Sequence, residues 1–220
     1  MPSFQQHLDT LEAWRRFPGL ERLEPLAGAP RVALSFDDGP DPDSTPAVLD
    51  ALDEAGVTAT FFVIGEQLER HWQIAREAQA RGHELGLHGH GHPAHHVLSP
   101  AAARDEVARG VGAFEAALGR RPALFRPPYG RFSEASFAAC GSLGLRPVYW
   151  SAWGMDWEEI GPDRIAELSC RDLADGMVLL LHDSARYASR RSALPTAQSI
   201  ARIAVRAREL GLAVGPITMP

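Results

Sequence analysis

From Arg31 onward, short apolar runs alternate with longer stretches whose apolar residues recur every three or four positions. The runs Val32–Phe36, Ala59–Ile64, Glu84–Leu87, Ala123–Arg126, Arg146–Trp150, Met177–Leu181 and Leu212–Pro216 have strand length and predict seven strands. Helical patterns fill the gaps. Thr45-Pro46 reads as an N-cap followed by proline in the first turn, and Gly56 closes that helix; Ser99-Pro100 opens another that runs to Gly119. Further helices are predicted over Glu66–Arg81, Ser133–Leu143, Pro162–Ala174 and Thr196–Leu210, several of them stopping at a glycine (Gly82, Gly144, Gly176, Gly211). Ahead of the first strand, Phe4, Leu8, Leu11 and Trp14 fall at helical spacing and predict an amphipathic helix laid on the main body.

Strands that alternate with helices predict a parallel sheet covered by helices, the α/β class. The strand count is that of a distorted (β/α)7 barrel; a flat doubly wound sheet is the competing arrangement. With no internal repeat, low-complexity segment or linker, the expected organisation is an N-terminal helical extension over residues 1–30 and one domain over residues 31–220. The 220-residue length supports a core of that size.

Composition narrows the function more than it changes the fold. Net charge is −6 and every basic residue is a scattered arginine, which argues against a nucleic-acid or anionic-membrane surface. No apolar run has the length of a membrane span, so no membrane insertion is expected. Met1–Leu20 lacks the basic start and continuous apolar run of a secretory signal, so the expected location is cytoplasmic. Cys140 and Cys170 lie far apart in helical patterns and are expected to be buried, reduced thiols; with no CxxC spacing, cysteine is not an expected metal ligand. Nothing in the pattern fixes an oligomeric state.

The polar residues at the strand ends carry the chemistry. Asp37 and Asp38 end the first strand, His88 the third, Arg126 the fourth, Trp150 the fifth and His182 the sixth. In parallel β/α folds these carboxyl ends form the ligand-binding face. Side chains alternate along a strand, so Asp37 and Asp38 share one site only if the strand breaks, and Gly39-Pro40 predicts that break. Five histidines fall within nine residues, interleaved with glycine, in His88-Gly89-His90-Gly91-His92 and the following His95 and His96. A carboxylate with two imidazoles suits a borderline divalent metal with a position open for water. From spacing alone, His88 pairs with His92 if the chain turns, or with His90 if the strand continues, and His95 and His96 offer further pairs. Arg126-Pro127-Pro128-Tyr129-Gly130 is a rigid turn whose arginine can hold a carboxylate. His182, at the end of a buried strand and titrating near neutrality, suits a general acid. Trp150, Trp153, Asp156 and Trp157 gather three indoles and a carboxylate, a composition that serves core packing or a sugar-stacking wall.

These five strings, in this order, resemble the motifs of the polysaccharide deacetylase family, the NodB-homology domain of carbohydrate esterase family four. The resemblance runs from about Arg31 to Pro216. It implies a metal-dependent hydrolase that removes acetyl groups from N-acetylated sugars, with an N-acylated sugar as substrate. It implies a divalent metal, Zn2+ first with Co2+, Ni2+ or Fe2+ as alternatives, held by Asp38, His88 and His92. Asp37 is then the catalytic base, oriented by Arg126. The Tyr129 amide helps hold the oxyanion, and His182 is the acid, tuned by Asp156. Trp157 and Leu180 line the acyl pocket, with Pro127 and Tyr129 also against substrate. Two features depart from the family pattern: Gly89 stands where Ser or Thr is usual, and the segment Trp153–Trp157 keeps only the terminal Asp156-Trp157. The Ser184–Pro195 loop has no counterpart. Rival readings are a deformylase or deacetylase of a small or lipid-linked amino sugar, and a non-catalytic sugar-binding barrel.

Overall fold

Apolar residues on alternate faces of short strands decide where each layer goes. A computed structural model of the chain describes residues 12, 14, 16–23 and 30–218. In β1 (Arg31–Asp37), Leu34 and Phe36 join the large outer core, whereas Ala33 joins a smaller inner cluster with Phe62, Leu124, Val148 and Val178. The period-two alternation of a strand produces this division. Ser35 and Asp37 share the inner face with Ala33, so the inward row of β1 runs from apolar to acidic toward its carboxyl end.

The order continues α1 (Thr45–Ala55), β2 (Thr60–Val63), α2 (Gly65–Ala80), β3 (Glu84–Leu87), α3 (Pro100–Leu118), β4 (Leu124–Phe125), α4 (Glu134–Ser142) and β5 (Arg146–Pro147). It then runs β6 (Ala152–Trp153), α5 (Pro162–Cys170), β7 (Val178–His182), α6 (Leu194–Glu209) and β8 (Ala213–Gly215). All pairings are parallel, in the order β5-β4-β3-β2-β1-β7-β6. β8 pairs with the first half of β1, on the edge that β2 occupies further along. The sheet is a curled, open barrel of the distorted (β/α) kind, with β5 and β6 at its two free ends.

The run expected as a fifth strand, Arg146–Trp150, is divided. Pro147 brings no N–H to a ladder, and beyond it the chain leaves β4. Val148 still donates to Phe125 O at 2.8 Å, but Tyr149 donates to Leu20 O at 2.7 Å and Leu20 to Pro147 O at 2.9 Å. Residues 152–153 then pair with β7, giving eight strands rather than seven among the described residues. Residues 20–23 lace across the opening, since Leu23 also donates to Gly176 O at 2.7 Å. Of the predicted N-terminal helix positions, Trp14 is helical and buried, with its ring stacked on Tyr149 at 4.6 Å. Phe4, Leu8 and Leu11 lie outside the described residues.

Several helix ends follow the local chemistry, whereas α5 stops at Cys170 rather than Ala174 and α6 begins at Leu194 rather than Thr196. Gly56 and Gly119 close α1 and α3 at φ 64° and 68°, a region glycine enters without steric cost. Ser99 caps α3 by accepting from Ala102 N. Thr45, however, is not the cap of α1. Ser44 occupies that position without a side-chain cap bond, because both hydroxyls are bound across the sheet to Asp183. Cys140 is buried and Cys170 only half-buried, and both are free thiols. No helix among the described residues is long and apolar enough to cross a membrane.

Candidate functional site

The carboxyl ends of β1, β3, β4 and β7 meet at one mouth of the barrel. Asp37 and His182 are register partners on the adjacent strands β1 and β7, so their side chains leave the sheet on the same face. Asp38 follows Asp37 with φ 84°, outside the strand region, and this turn brings the second carboxylate back to the site. Gly39 is required next to it. Its N–H donates to Asp183 Oδ1 at 3.0 Å, and a Cβ there would stand 2.0 Å from Asp183 Oδ2. Thr45 Oγ1 donates to Asp183 Oδ2 at 2.6 Å and Ser44 Oγ to Asp183 O at 2.6 Å, tying the end of β1 to the end of β7. Burial pushes the Asp183 carboxyl up to about 7.

His88, one residue beyond β3, and His92, at φ 67°, converge on Asp38. Asp38 Oδ1 lies 3.6 Å from His88 Nε2 and 3.2 Å from His92 Nε2. Ligand atoms of the three buried residues all lie within 4.8 Å of one another, a candidate metal site. His88 Nδ1–H donates to the Arg126 carbonyl at 2.8 Å, which leaves Nε2 with its lone pair toward Asp38. Burial holds His88 down at about 4, so it is neutral near neutral pH, the form a ligand needs. Burial alone would raise the Asp38 carboxyl, but the hydrogen bond to His92 and the charges of His182, His92 and His88 bring it to about 2.

The other histidines point elsewhere. His90 lies against α2 and α3, with Nε2 3.2 Å from Glu69 Oε1. His95 is buried among Phe125 and Phe132, and burial lowers it to about 3. His96 is exposed. A residue the sequence did not flag holds the turn after His88. Glu106 of α3 accepts from His90 N at 2.7 Å and Gly91 N at 2.5 Å, and a side chain on Gly89 would press on that carboxylate.

Arg126, fully buried, donates from Nη1 to Asp37 Oδ1 at 2.7 Å and Ser35 Oγ at 3.0 Å, and from Nη2 to Tyr149 O at 2.9 Å. Asp37 Oδ2 is left facing the ligand cluster, 3.7 Å from His88 Nε2. Pro127 and Pro128 are buried beneath this turn, and Tyr129 stands above it at φ 58° with its ring edge on His92 at 4.7 Å. Trp150 packs between Trp14 and Arg126, a core role rather than a sugar wall.

On the far side, Asp156 Oδ1 lies 2.9 Å from His182 Nδ1, and Oδ2 accepts from His182 N and Thr196 Oγ1, both at 2.8 Å. Burial opposes a charge on His182, but Asp156 beside it and Asp38 and Asp37 across the site raise it to about 9. Asp156 itself is held below its ordinary value: burial acts against this, and the charge of His182, then Arg190 and Thr196, prevail. Trp157 meets the His182 ring edge-on at 5.8 Å. Leu180 shares the inward face with His182 and, though buried, stays out of the outer core that takes Leu179 and Leu181. Composition gave no hint of Arg190, whose Nη2 donates to the carbonyls of His182 at 3.0 Å and Ser184 at 3.2 Å.

Known proteins share this arrangement of chain. A family model described as polysaccharide deacetylase matches residues 27–148, a span that takes in Asp37, Asp38, His88, His92, Arg126 and Tyr129. A chitooligosaccharide deacetylase of Bradyrhizobium sp. (strain ANU 289) is 38% identical over 159 residues, 72% of this chain and 73% of that one. A peptidoglycan-N-acetylglucosamine deacetylase of Bacillus cereus (strain ATCC 14579) is 35% identical over 155 residues, 69% of this chain and 72% of that one. Among solved structures, a family 4 carbohydrate esterase from Streptomyces lividans in complex with acetate has a TM-score of 0.76 at 31% identity, covering 84% of this chain and 92% of that one.

Proposed function

Because this chain belongs to the polysaccharide deacetylase family, we propose that it removes acetyl groups from N-acetylated sugar oligomers with the five side chains Asp37, Asp38, His88, His92 and His182. It is a carbohydrate N-deacetylase, a hydrolase of an amide bond on an amino sugar. The observation that carries the residue roles is the pairing of Asp37 with His182 across β1 and β7, each with its own partner, on either side of the Asp38–His88–His92 cluster. A protein that only bound sugar would need neither group.

The cluster fits a metal. Asp38 Oδ1 is buried with the Nε2 atoms of His92 and His88 as its neighbours, at 3.2 and 3.6 Å, and His88 is held in the tautomer that offers Nε2. One carboxylate oxygen and two imidazole nitrogens suit Zn2+, with Co2+, Ni2+ and Fe2+ as alternatives. When bound there, the metal supplies Lewis-acid polarisation of the acyl carbonyl and makes water acidic near neutrality. Asp37 takes the proton of the attacking water on Oδ2, because Oδ1 is committed to Arg126. The Tyr129 N–H is the proposed donor to the oxygen on which negative charge develops, and single donors of this kind are typically worth about 3 kcal/mol. His182, charged and donating from Nδ1 to Asp156, delivers its Nε2 proton to the departing amine. Trp157 and Leu180 bound the acyl methyl, and Pro127 with Tyr129 forms the wall on the other side.

Metal-loaded protein incubated with chitotetraose, and with small N-acetyl and N-formyl amino sugars, tests the reading when acetate and formate are both quantified. Acetate from the oligomer is the expected result. Formate alone, or turnover only of the small sugars, would reassign the substrate, and tight sugar binding without product would reduce the protein to a binder.

A further inference from the structure

His88 and His92 are held by different means. His88 has an orienting hydrogen bond from Nδ1 to the Arg126 carbonyl. The Nδ1 of His92 is buried and meets no protein hydrogen-bond partner among the described residues. Its backbone, at φ 67°, is one that a non-glycine residue adopts only when its surroundings impose it. Aromatic rings set the plane of this imidazole instead. Tyr187 stacks on one face with ring centroids 4.2 Å apart and planes 19° from parallel, and Tyr129 makes a T-shaped contact with the same ring at 64°.

Tyr187 comes from the segment after β7 that the family pattern does not cover. That segment is pinned on both sides of the tyrosine. Before it, the Arg186 N–H donates to Ser184 Oγ at 3.1 Å, and Ser184 Oγ donates to Asp41 Oδ2 at 2.6 Å. After it, Ser189 N donates to Trp157 O at 3.0 Å, and the Arg190 guanidinium is buried against the carbonyls of His182 and Ser184 and 3.4 Å from Asp156 Oδ2. The ring is therefore delivered to His92 by a fixed scaffold.

We propose that Tyr187 is a positioning residue for His92, its ring face replacing the orienting hydrogen bond that the imidazole lacks and keeping Nε2 aimed at Asp38. The inference rests on the metal reading of Asp38, His88 and His92. It assigns the role to the flat ring and not to the hydroxyl, and it makes the loop after β7 part of the metal site's support.

Zinc affinity, measured by competition with a chromophoric chelator on wild type, Tyr187→Phe, Tyr187→Leu, Tyr187→Ala and His92→Ala, tests it. Loss of an orienting partner of a metal ligand typically costs about 10–100-fold in affinity. Tyr187→Ala and Tyr187→Leu should each weaken zinc by about 10-fold or more, and Tyr187→Phe by less than about 2-fold. The visible spectrum of the cobalt-substituted protein should change in the first two and not in the third. Leu keeps apolar bulk without a flat face, so it separates orientation from simple filling of space, and melting of the metal-free proteins identifies any variant that fails to fold. Wild-type zinc affinity and cobalt spectrum in both Tyr187→Ala and Tyr187→Leu would overturn the proposal. Unchanged zinc binding in His92→Ala would instead remove the metal reading beneath it.

Discussion

Replacing Asp156 by Asn removes one buried negative charge while leaving the volume beside His182 unchanged. In the native arrangement Asp156 contacts both the ring Nδ1 and the main-chain N of His182, and His182 stands at about 9 against an ordinary 6.5. Burial lowers that value while Asp38 and Asp37 still raise it, so without the Asp156 carboxylate His182 should fall toward its ordinary value. A full return to 6.5 would be a change of about 2.5 pK units, or about 3 kcal/mol between the two protonation states. At about pH 8 the protonated fraction of His182 would drop from roughly 0.9 to roughly 0.03, a loss of about 30-fold in the competent acid. Near about pH 6 both proteins would be mostly protonated and the deficit from this cause would nearly vanish. A cation beside Asp38 lowers His182 in both proteins, so the comparison is made at equal metal content. The assay is kcat/KM for acetate release across pH, in which the alkaline limb of Asp156→Asn should move to lower pH by about one to two units. A uniform loss of rate with the limb unmoved would refute the reasoning and leave Asp156 as scaffolding.

Gly39→Ala should destabilise the protein by about 1–3 kcal/mol in chemical denaturation and weaken zinc binding, because the added methyl displaces Asp183 and with it the turn that aims Asp38. Glu106→Ala strips the acceptor from the His90 and Gly91 amides and should cost about 2–4 kcal/mol, whereas Glu106→Gln, which retains an oxygen, should cost less by the same assay. His95 is lowered by burial to about 3, so the unfolded chain takes up its proton near 6.5 while the folded chain does not. Its contribution to stability is therefore full above 6.5 and lost as pH falls from there toward 3. His95→Leu should flatten the acid limb of a stability-against-pH curve by a few kcal/mol, with His88, Asp38 and Asp156 contributing to the acid sensitivity that remains.

Much of the architecture was legible because four strand ends carry a residue that has no reason to sit in a core. Asp37, His88, Arg126 and His182 marked the carboxyl ends to within one residue, and the barrel class followed from helices alternating with strands. The fifth strand was misread because apolar content runs unbroken from Pro147 to Trp150, whereas hydrogen-bond partners change at Tyr149, and periodicity records burial but not partners. Thr45 was misread for a similar reason. A hydroxyl before Pro46 has the composition of a cap, but a buried carboxylate 138 positions away competes for it. The supporting groups were beyond reach. Glu106, Asp183, Tyr187 and Arg190 are ordinary residues in helix or loop patterns, and only folding places them against the site. The choice between His90 and His92 turns on the positive φ of His92, a conformation that no local pattern around it announces.

The most direct test of the assigned chemistry compares wild type with Asp37→Asn, both brought to the same bound zinc content, by initial acetate release from chitotetraose. Asn preserves the shape and a contact to Arg126 but accepts no proton, and a positioned base contributes typically about 10²–10⁴-fold. The account predicts a rate loss in that range with zinc binding unchanged. Acetate release by Asp37→Asn at the wild-type rate would contradict it.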